Sequence, residues 1–386
     1  MRDAIIVGAR PAGAATALLL ARAGLDVLVV DRGSYGTDTL STHALMRGGV
    51  LQLARWGLLD RIVAAGTPPV RRTTFRYAGA EVPITIKPSP GVDALYAPRR
   101  TLLDPILVDA AREAGAEVRY GTTVTNVIRE DDTVTGVAGR TRDGQPFQAK
   151  AKIVIGADGF RSTIADLVHA PFDRVGRSVA AVTYGYWTGL RTDGYEWNFR
   201  PGAASGVIPT NDGQACVYAS GPPRHIGRGG LDILTRIVAL SSPGLAKRLE
   251  HATPPRSLRT FTGQRAHLRR ARGPGWALVG DAGYFKDPLS AHGITDALRD
   301  AELLARSILD GTDYQGIRDA LSIEMFDVMD VIAGHRWTDD EIPELLLRLN
   351  AAMSDEIAVL NSYSLTGTSD SSRATRSRRP STPAVP

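Results

Sequence analysis

The N-terminal glycine turn constrains this chain more than any other stretch. Residues 3–7 form a short apolar run, Gly8-Ala-Arg-Pro-Ala-Gly13 follows, and residues 12–23 are rich in Ala and Leu up to Gly24. A second apolar run at 26–30 ends on Asp31, with Arg32 beside it. Short apolar runs bounded by glycine read as buried parallel strands, and the Ala/Leu run with a glycine after it reads as a capped helix. Gly8 allows the tight turn, and Gly13 lets helix and strand pack closely. The helix start at Ala12 and Gly13 offers free N–H groups to an anion, and Asp31 is placed to accept from ribose hydroxyls. The unit is a βαβ fold of the dinucleotide-binding kind.

Arg10 stands where that pattern has its second glycine. A Cβ there holds a pyrophosphate slightly away from the backbone, and two placements are open for the side chain. It either reaches the phosphate as a charge-assisted donor or points to solvent.

Two further stretches share the same strand-then-turn form. Gly156-Ala-Asp-Gly-Phe-Arg-Ser162 follows an apolar strand at 153–155. Trp276-Ala-Leu-Val-Gly-Asp281 follows later and runs on into Pro288-Leu-Ser-Ala-His-Gly293 ahead of a helix predicted at 293–309. The order and spacing of the three resemble the single-component FAD-dependent aromatic hydroxylases, the para-hydroxybenzoate hydroxylase class. That class lies within a wider superfamily that includes geranylgeranyl reductases and halogenases. The resemblance covers roughly residues 3–310.

It implies an α/β protein: a Rossmann-like FAD-binding domain with an inserted, mostly antiparallel β-sheet substrate domain and C-terminal helices. It further implies non-covalent FAD. Arg100, opening Arg100-Thr-Leu-Leu-Asp-Pro-Ile-Leu107, matches the arginine that contacts the flavin's phosphate or ribityl region. Asp158 matches the Asp-Gly motif tied to FAD and to transient nicotinamide. Gly280 and Asp281 match the ribityl site, and Pro288 and Gly293 shape a helix start that faces the flavin N1–C2 edge. The class has Ala-His after its Gly-Asp, whereas this chain has Ala282-Gly283-Tyr284 with Lys286 added, which leaves substrate and reaction open.

Asp38-Thr-Leu-Ser-Thr-His43 lies in the loop that, by the resemblance, reaches the flavin edge. His43 is either a proton-transfer group titrating near neutrality or a loop-ordering histidine. Lys286 and His292 carry the same pair of readings. Tyr184, Tyr186, Trp187, Trp197 and Phe199 are candidates to line the substrate face, or simply to pack a sheet.

From 179 to about 264 alternating runs separated by Gly, Pro and Asn read as an antiparallel sheet, with helical inserts at 230–240 and 245–251. The expected division is 1–178 with 265–310 for FAD, 179–264 for substrate, 311–366 for C-terminal helices and 367–386 as a disordered tail. Thr338-Asp-Asp-Glu341 reads as a capping box. The tail's four arginines against Asp370 carry +3 of the net +5, so the body is only mildly basic, which argues against nucleic acid. One cysteine, Cys216, fits a reducing compartment. No charged-then-apolar leader opens the chain, and no apolar run nears the ~20 residues of a membrane helix, so a cytoplasmic protein is expected. The scattered histidines show no zinc spacing, and no Gly-x-Ser-x-Gly elbow occurs.

Only one glycine-rich fingerprint is present, so NADH or NADPH is expected to visit rather than reside. The leading expectation, carried by the resemblance, is monooxygenation of an aromatic or polyketide-like small molecule by molecular oxygen through a flavin C4a-hydroperoxide, in a monomer or homodimer. Alternatives are a reductase of isolated double bonds and a non-redox FAD protein that shapes a cavity. A halogenase is disfavoured, since Gly206-Val-Ile-Pro209 lacks that group's tryptophan-flanked motif.

Overall fold

The computed structural model describes residues 1–363; the tail expected at 367–386 lies outside them. The chain opens with β1 (Arg2–Val7), α1 (Pro11–Arg22) and β2 (Val27–Asp31). Pro11 sits at the helix start, where its missing N–H costs nothing, and Gly24 takes φ +84° just past the helix end. Helices α2 (Arg47–Arg55) and α3 (Leu59–Ala64) lead to the hairpin β3 (Arg72–Tyr77) and β4 (Ala80–Thr85). Helix α4 (Arg100–Glu113) and β5 (Glu117–Tyr120) return the chain to the first sheet. Strands β6 (Thr122–Glu130), β7 (Thr133–Thr141) and β8 (Pro146–Gly156) form an antiparallel excursion before α5 (Thr163–Leu167) and β9 (Phe172–Val175).

A second block follows: β10 (Ala181–Thr188), β11 (Tyr195–Arg200), β12 (Ala203–Pro209) and β13 (Gln214–Gly221). Its outer cover is α6 (Pro223–Ile226), α7 (Leu231–Ser241) and α8 (Pro243–Leu249), and β14 (Arg259–Phe261) closes it. The chain then makes β15 (His267–Arg269), β16 (Arg272–Gly273), β17 (Trp276–Leu278) and β18 (Tyr284–Phe285). Helices α9 (Gly293–Asp310), α10 (Tyr314–Ala333) and α11 (Ile342–Ser362) end it.

The first sheet runs β16-β17-β8-β1-β2-β5, with β6 and β7 attached through β8. Its centre is parallel: Ile5 lies opposite both Leu28 and Val154, and Trp276 opposite Val154. Apolar side chains on both faces explain why these strands read as continuous runs. Ala4 and Ile6 join a core with α1, α4 and α9, while Ile5 and Val7 pack with Val137, Phe147 and Ile164 on the other side. The second sheet runs β14-β10-β13-β12-β11-β3-β4 and is antiparallel except where β11 meets β3. A small third sheet joins β18, β15 and β9.

The expected fold class is therefore the observed one: a Rossmann-like sheet, an additional mainly antiparallel sheet and C-terminal helices. One segment differs from the sequence reading. No strand is expected from sequence between Arg32 and Arg100, yet 72–85 supply two strands to the second sheet. Pro83 is accommodated because β4 is the edge strand, where a missing N–H leaves no ladder bond broken. Among the described residues, no helix is long and apolar enough to cross a membrane.

The sharpest packing constraint is at the first turn. Gly8 has φ +111°, and a Cβ on it would lie 2.3 Å from the Ala157 carbonyl oxygen; one on Gly13 would lie 1.8 Å from the Gly8 carbonyl oxygen. Gly8→Ala is expected to cost more than about 2 kcal/mol, since strain and a backbone clash coincide. Urea denaturation reads it directly, and a variant as stable as the parent would refute the close approach.

Candidate functional site

Backbone contacts bring the three motifs together. Gly8 abuts Ala157 of the second motif, and a Cβ on Gly280 would lie 3.0 Å from the Ala12 Cβ at the start of α1. Asp281 faces the start of α9, its Oδ1 being 4.0 Å from where a Gly293 Cβ would stand, with nothing nearer. Helices α1 and α9 both begin without a side-chain cap, so their first N–H groups stay available to a ligand. Pro288 begins a short 3-10 turn leading to α9, which the Asp287 carboxylate caps by accepting from the Leu289 N–H.

Asp31 accepts the Ala9 N–H at 2.8 Å and the Gly33 N–H at 2.6 Å, so it braces the turn from the end of β2. The adjacent Arg32 is exposed. Arg10 is held beside the turn by a partner on α4 and stays partly exposed. Its Nη1 donates to Asp104 Oδ2 at 3.1 Å, and Arg100 donates to the same carboxylate at 2.7 and 2.9 Å. Asp104 escaped the sequence reading, although its spacing of four from Arg100 on a helix was a usable signal. Two guanidiniums share one carboxylate here, leaving one positive charge beside the α1 start. Asp158 accepts from Ser162 Oγ at 2.5 Å and from the Ile164 N–H at 3.1 Å, so it orders the start of α5.

The donor set fits FAD. An uncapped helix start and a surplus guanidinium suit a pyrophosphate, and the partly exposed Asp281 beside the open start of α9 suits ribityl hydroxyls. Desolvation raises the Asp281 carboxyl to about 6, against the lowering pull of Lys286 and Arg100.

Above this lies the inner face of the second sheet. Strand alternation turns Val182, Tyr184 and Tyr186, and their neighbours Cys216 and Tyr218, toward the FAD-motif side, with Tyr195, Trp197 and Phe199 alongside. Trp187, one of the expected lining residues, points the other way and packs with Ile237 and Leu245 under the outer helices. His43 is 1% exposed and takes φ +65°, so the 38–43 loop drives it inward. Its ring stacks on Tyr186 and its Nε2 contacts the Tyr186 hydroxyl, while Tyr184 Oη accepts the Ser41 N–H at 2.9 Å. Burial first, then the Arg99, Arg100 and Arg259 charges, hold His43 well below the ordinary histidine range. Burial likewise pushes the Tyr184 phenol to about 12 and the Tyr186 phenol higher. Both partners are therefore neutral near pH 7.

Lys286 and His292 sit elsewhere, inside a buried ion network. Lys286 contacts Asp296; Arg299 bonds Asp296 at 3.0 Å, Asp300 at 2.8 Å and Glu356 at 2.9 Å; His292 Nε2 lies 3.1 Å from Glu356 Oε1. Desolvation lowers Lys286 to about 7. Glu356 comes from α11, far away in sequence, and no local pattern announced it. His292, Asp296 and Glu356 come close enough to hold a metal ion, but Lys286 and Arg299 already occupy those carboxylates.

A family model described as FAD binding domain matches residues 1–320. The chain is 26% identical over 320 residues to digeranylgeranylglycerophospholipid reductase of Methanocella arvoryzae, covering 79% of this chain and 77% of that protein. It is 28% identical over 242 residues to 2,4-dichlorophenol 6-monooxygenase of Delftia acidovorans, covering 53% of this chain but only 39% of that one. The myxobacterial chondrochloren halogenase CndH superposes with TM-score 0.74 at 22% identity, over 95% of this chain and 94% of its own, which is a likeness of fold. These matches carry the resemblance at the level of the FAD family without singling out the para-hydroxybenzoate class.

Asp281→Ala is expected to lower retained FAD far more than His43→Ala does; equal occupancy in both, read by absorbance after denaturation, would misplace the ribityl contact. Asp287 gives a pH test. Burial raises its carboxyl to about 7, so its contribution to stability is full below the ordinary aspartate pKa and is lost as pH rises toward 7. Wild type should therefore lose stability relative to Asp287→Asn between pH 4 and 7, by at most about 1.4 kcal/mol per pH unit. Parallel urea curves across that range would contradict it.

Proposed function

The chain belongs to the FAD binding domain family and is an FAD-dependent oxidoreductase, and from that premise we propose that it is a monooxygenase acting on a small ring-bearing molecule. The observation that carries the reading is the His43–Tyr186 pair set in the enclosed aromatic face of the second sheet. Tyr184, Trp197 and Tyr218 are each less than a tenth exposed, so a ring held among them is shielded from water. The Tyr218 hydroxyl has no partner among the described residues and is free to bond a polar substituent.

FAD, when bound, supplies the electron transfer and oxygen activation. The chain's own residues position the ring and handle protons. A ring hydroxyl can share a hydrogen bond with Tyr186, which bonds His43 in turn; because His43 is held well below the ordinary histidine range, the pair orients the ring and relays a proton only transiently. The overall reaction consumes the substrate, O2, NAD(P)H and a proton, and yields the hydroxylated product, NAD(P)⁺ and water.

A second reading is reduction of an isolated double bond. It is favoured by the extent of the match to the Methanocella reductase, which spans over three quarters of both chains, against about half of this chain for the monooxygenase match. Turnover under ¹⁸O₂ distinguishes them. Monooxygenation is expected to add one labelled oxygen, whereas an unlabelled product two hydrogens heavier would replace the first reading with the second. Tyr186→Phe is expected to lower turnover by about 10²-fold or more with FAD content unchanged; undiminished turnover would remove the pair from the chemistry.

A further inference from the structure

The start of α9 is gripped from two sides by residues that none of the three motifs contains. From α11, Glu356 Oε1 lies 3.1 Å from His292 Nε2, and Glu356 Oε2 accepts Arg299 Nη1 at 2.9 Å. The His292 ring has no other hydrogen-bond partner among the described residues: its Nδ1 is buried without one, and Asp296 stands 3.9 Å away. Arg299 also bonds Asp300 at 2.8 Å, and Asp300 accepts the Gly280 N–H at 3.2 Å. Glu356 is thereby linked through side chains to both the helix start and the third motif. From α2, Gly48 leaves the carboxylate its space, since a Cβ there would stand 2.6 Å from Glu356 Oε1. Thr295 Oγ1 accepts the N–H of Met46, three residues after His43, at 3.1 Å. Glu356 is 1% exposed, and buried ion pairs yield little net stability once desolvation is counted. Helix α11 supplies it from beyond residue 320, where the match to the FAD family ends.

We propose that Glu356 is a positioning residue for the cofactor: by gripping His292 and Arg299 it fixes the α9 start and the Gly280 turn relative to each other. The positive end of α9 favours an anionic reduced flavin only while its first N–H groups keep that placement. Gly48 belongs to the same device, because α2 can approach the carboxylate only without a side chain. The inference rests on the cofactor site and holds for oxygenation and double-bond reduction alike.

FAD affinity and flavin potential test it without turnover. Protein stripped of flavin is titrated with FAD and followed by flavin fluorescence; the reloaded protein is then equilibrated with a reference dye to read its potential. Gly48→Ala is the sharper variant, because alanine favours a helix and every charge is kept, so a loss reports the displaced carboxylate. It is expected to weaken FAD about tenfold and to lower the potential, the reduced form losing more than the oxidised. Glu356→Gln keeps the side chain's shape and should weaken FAD as well. The double variant should bind no worse than the weaker single, since both changes act through one contact. The proposal is overturned if both single variants bind FAD as the parent does, or if their effects add in the double. It is also overturned if Gly48→Ala weakens FAD with the potential unmoved, or if the variants lose melting temperature with FAD affinity intact, which would leave Glu356 a packing residue. Asp281→Ala separates the site from the clamp: weaker FAD in that variant alone would overturn the role of Glu356 and leave the cofactor site standing.

Discussion

The closest backbone approach around the first turn sets the rest of the architecture. Helix α1 lies so near β1 that no side-chain atom fits between Gly13 and the Gly8 carbonyl, and Gly8 in turn presses on Ala157 at the end of β8. Neither contact tolerates a Cβ, so the first and second motifs are locked to each other. Gly280 extends the arrangement: with φ +58°, it nests between Ala12 of α1 and Ala297 of α9. Two uncapped helix starts thereby converge on one region, which no single motif could provide.

The second sheet works as a lid of aromatic side chains whose register follows from strand pairing. Tyr184 opposite Tyr218 and Tyr186 opposite Cys216 place the hydroxyls and the thiol on one face, while Trp187 anchors the other face to the outer helices. The 38–43 loop then carries His43 into that face in a left-handed conformation. The C-terminal helices contribute through charge. Glu356 of α11 meets Arg299 and His292 at the start of α9, so the last helix is tied to the element that faces Asp281.

Much of this was legible from local pattern. The βαβ unit, the strand at the second motif and the helix after the third are each announced by an apolar run beside a glycine, because those features are local in sequence. The strands at 72–85 were not, since their pairing with β11 depends on a partner more than a hundred residues away and Pro83 masks the edge strand. Gly8 makes the tight turn and Gly13 the close helix–strand approach that the sequence implied, and Gly293 opens α9. Side-chain partners were harder to foresee. Arg10 has Asp104 as its neighbour, and Arg99 shares Asp38 with Arg259; only the folded chain brings those charges together. Lys286 and His292 looked reactive in sequence because nothing local shows the Asp296, Arg299 and Glu356 charges that hold them.

The central claim is that the two helix starts, with the surplus charge at Asp104, hold FAD so that its ring edge faces the Tyr184–Tyr186 wall. A crystal structure of the FAD-loaded protein tests it most directly. The expected result is a pyrophosphate within hydrogen-bonding distance of the Gly13 N–H and the Arg10–Arg100 pair, ribityl oxygens at Asp281, and the flavin edge between the start of α9 and Tyr186. FAD bound away from the Gly8 turn, or with its ring turned from the second sheet, would contradict it.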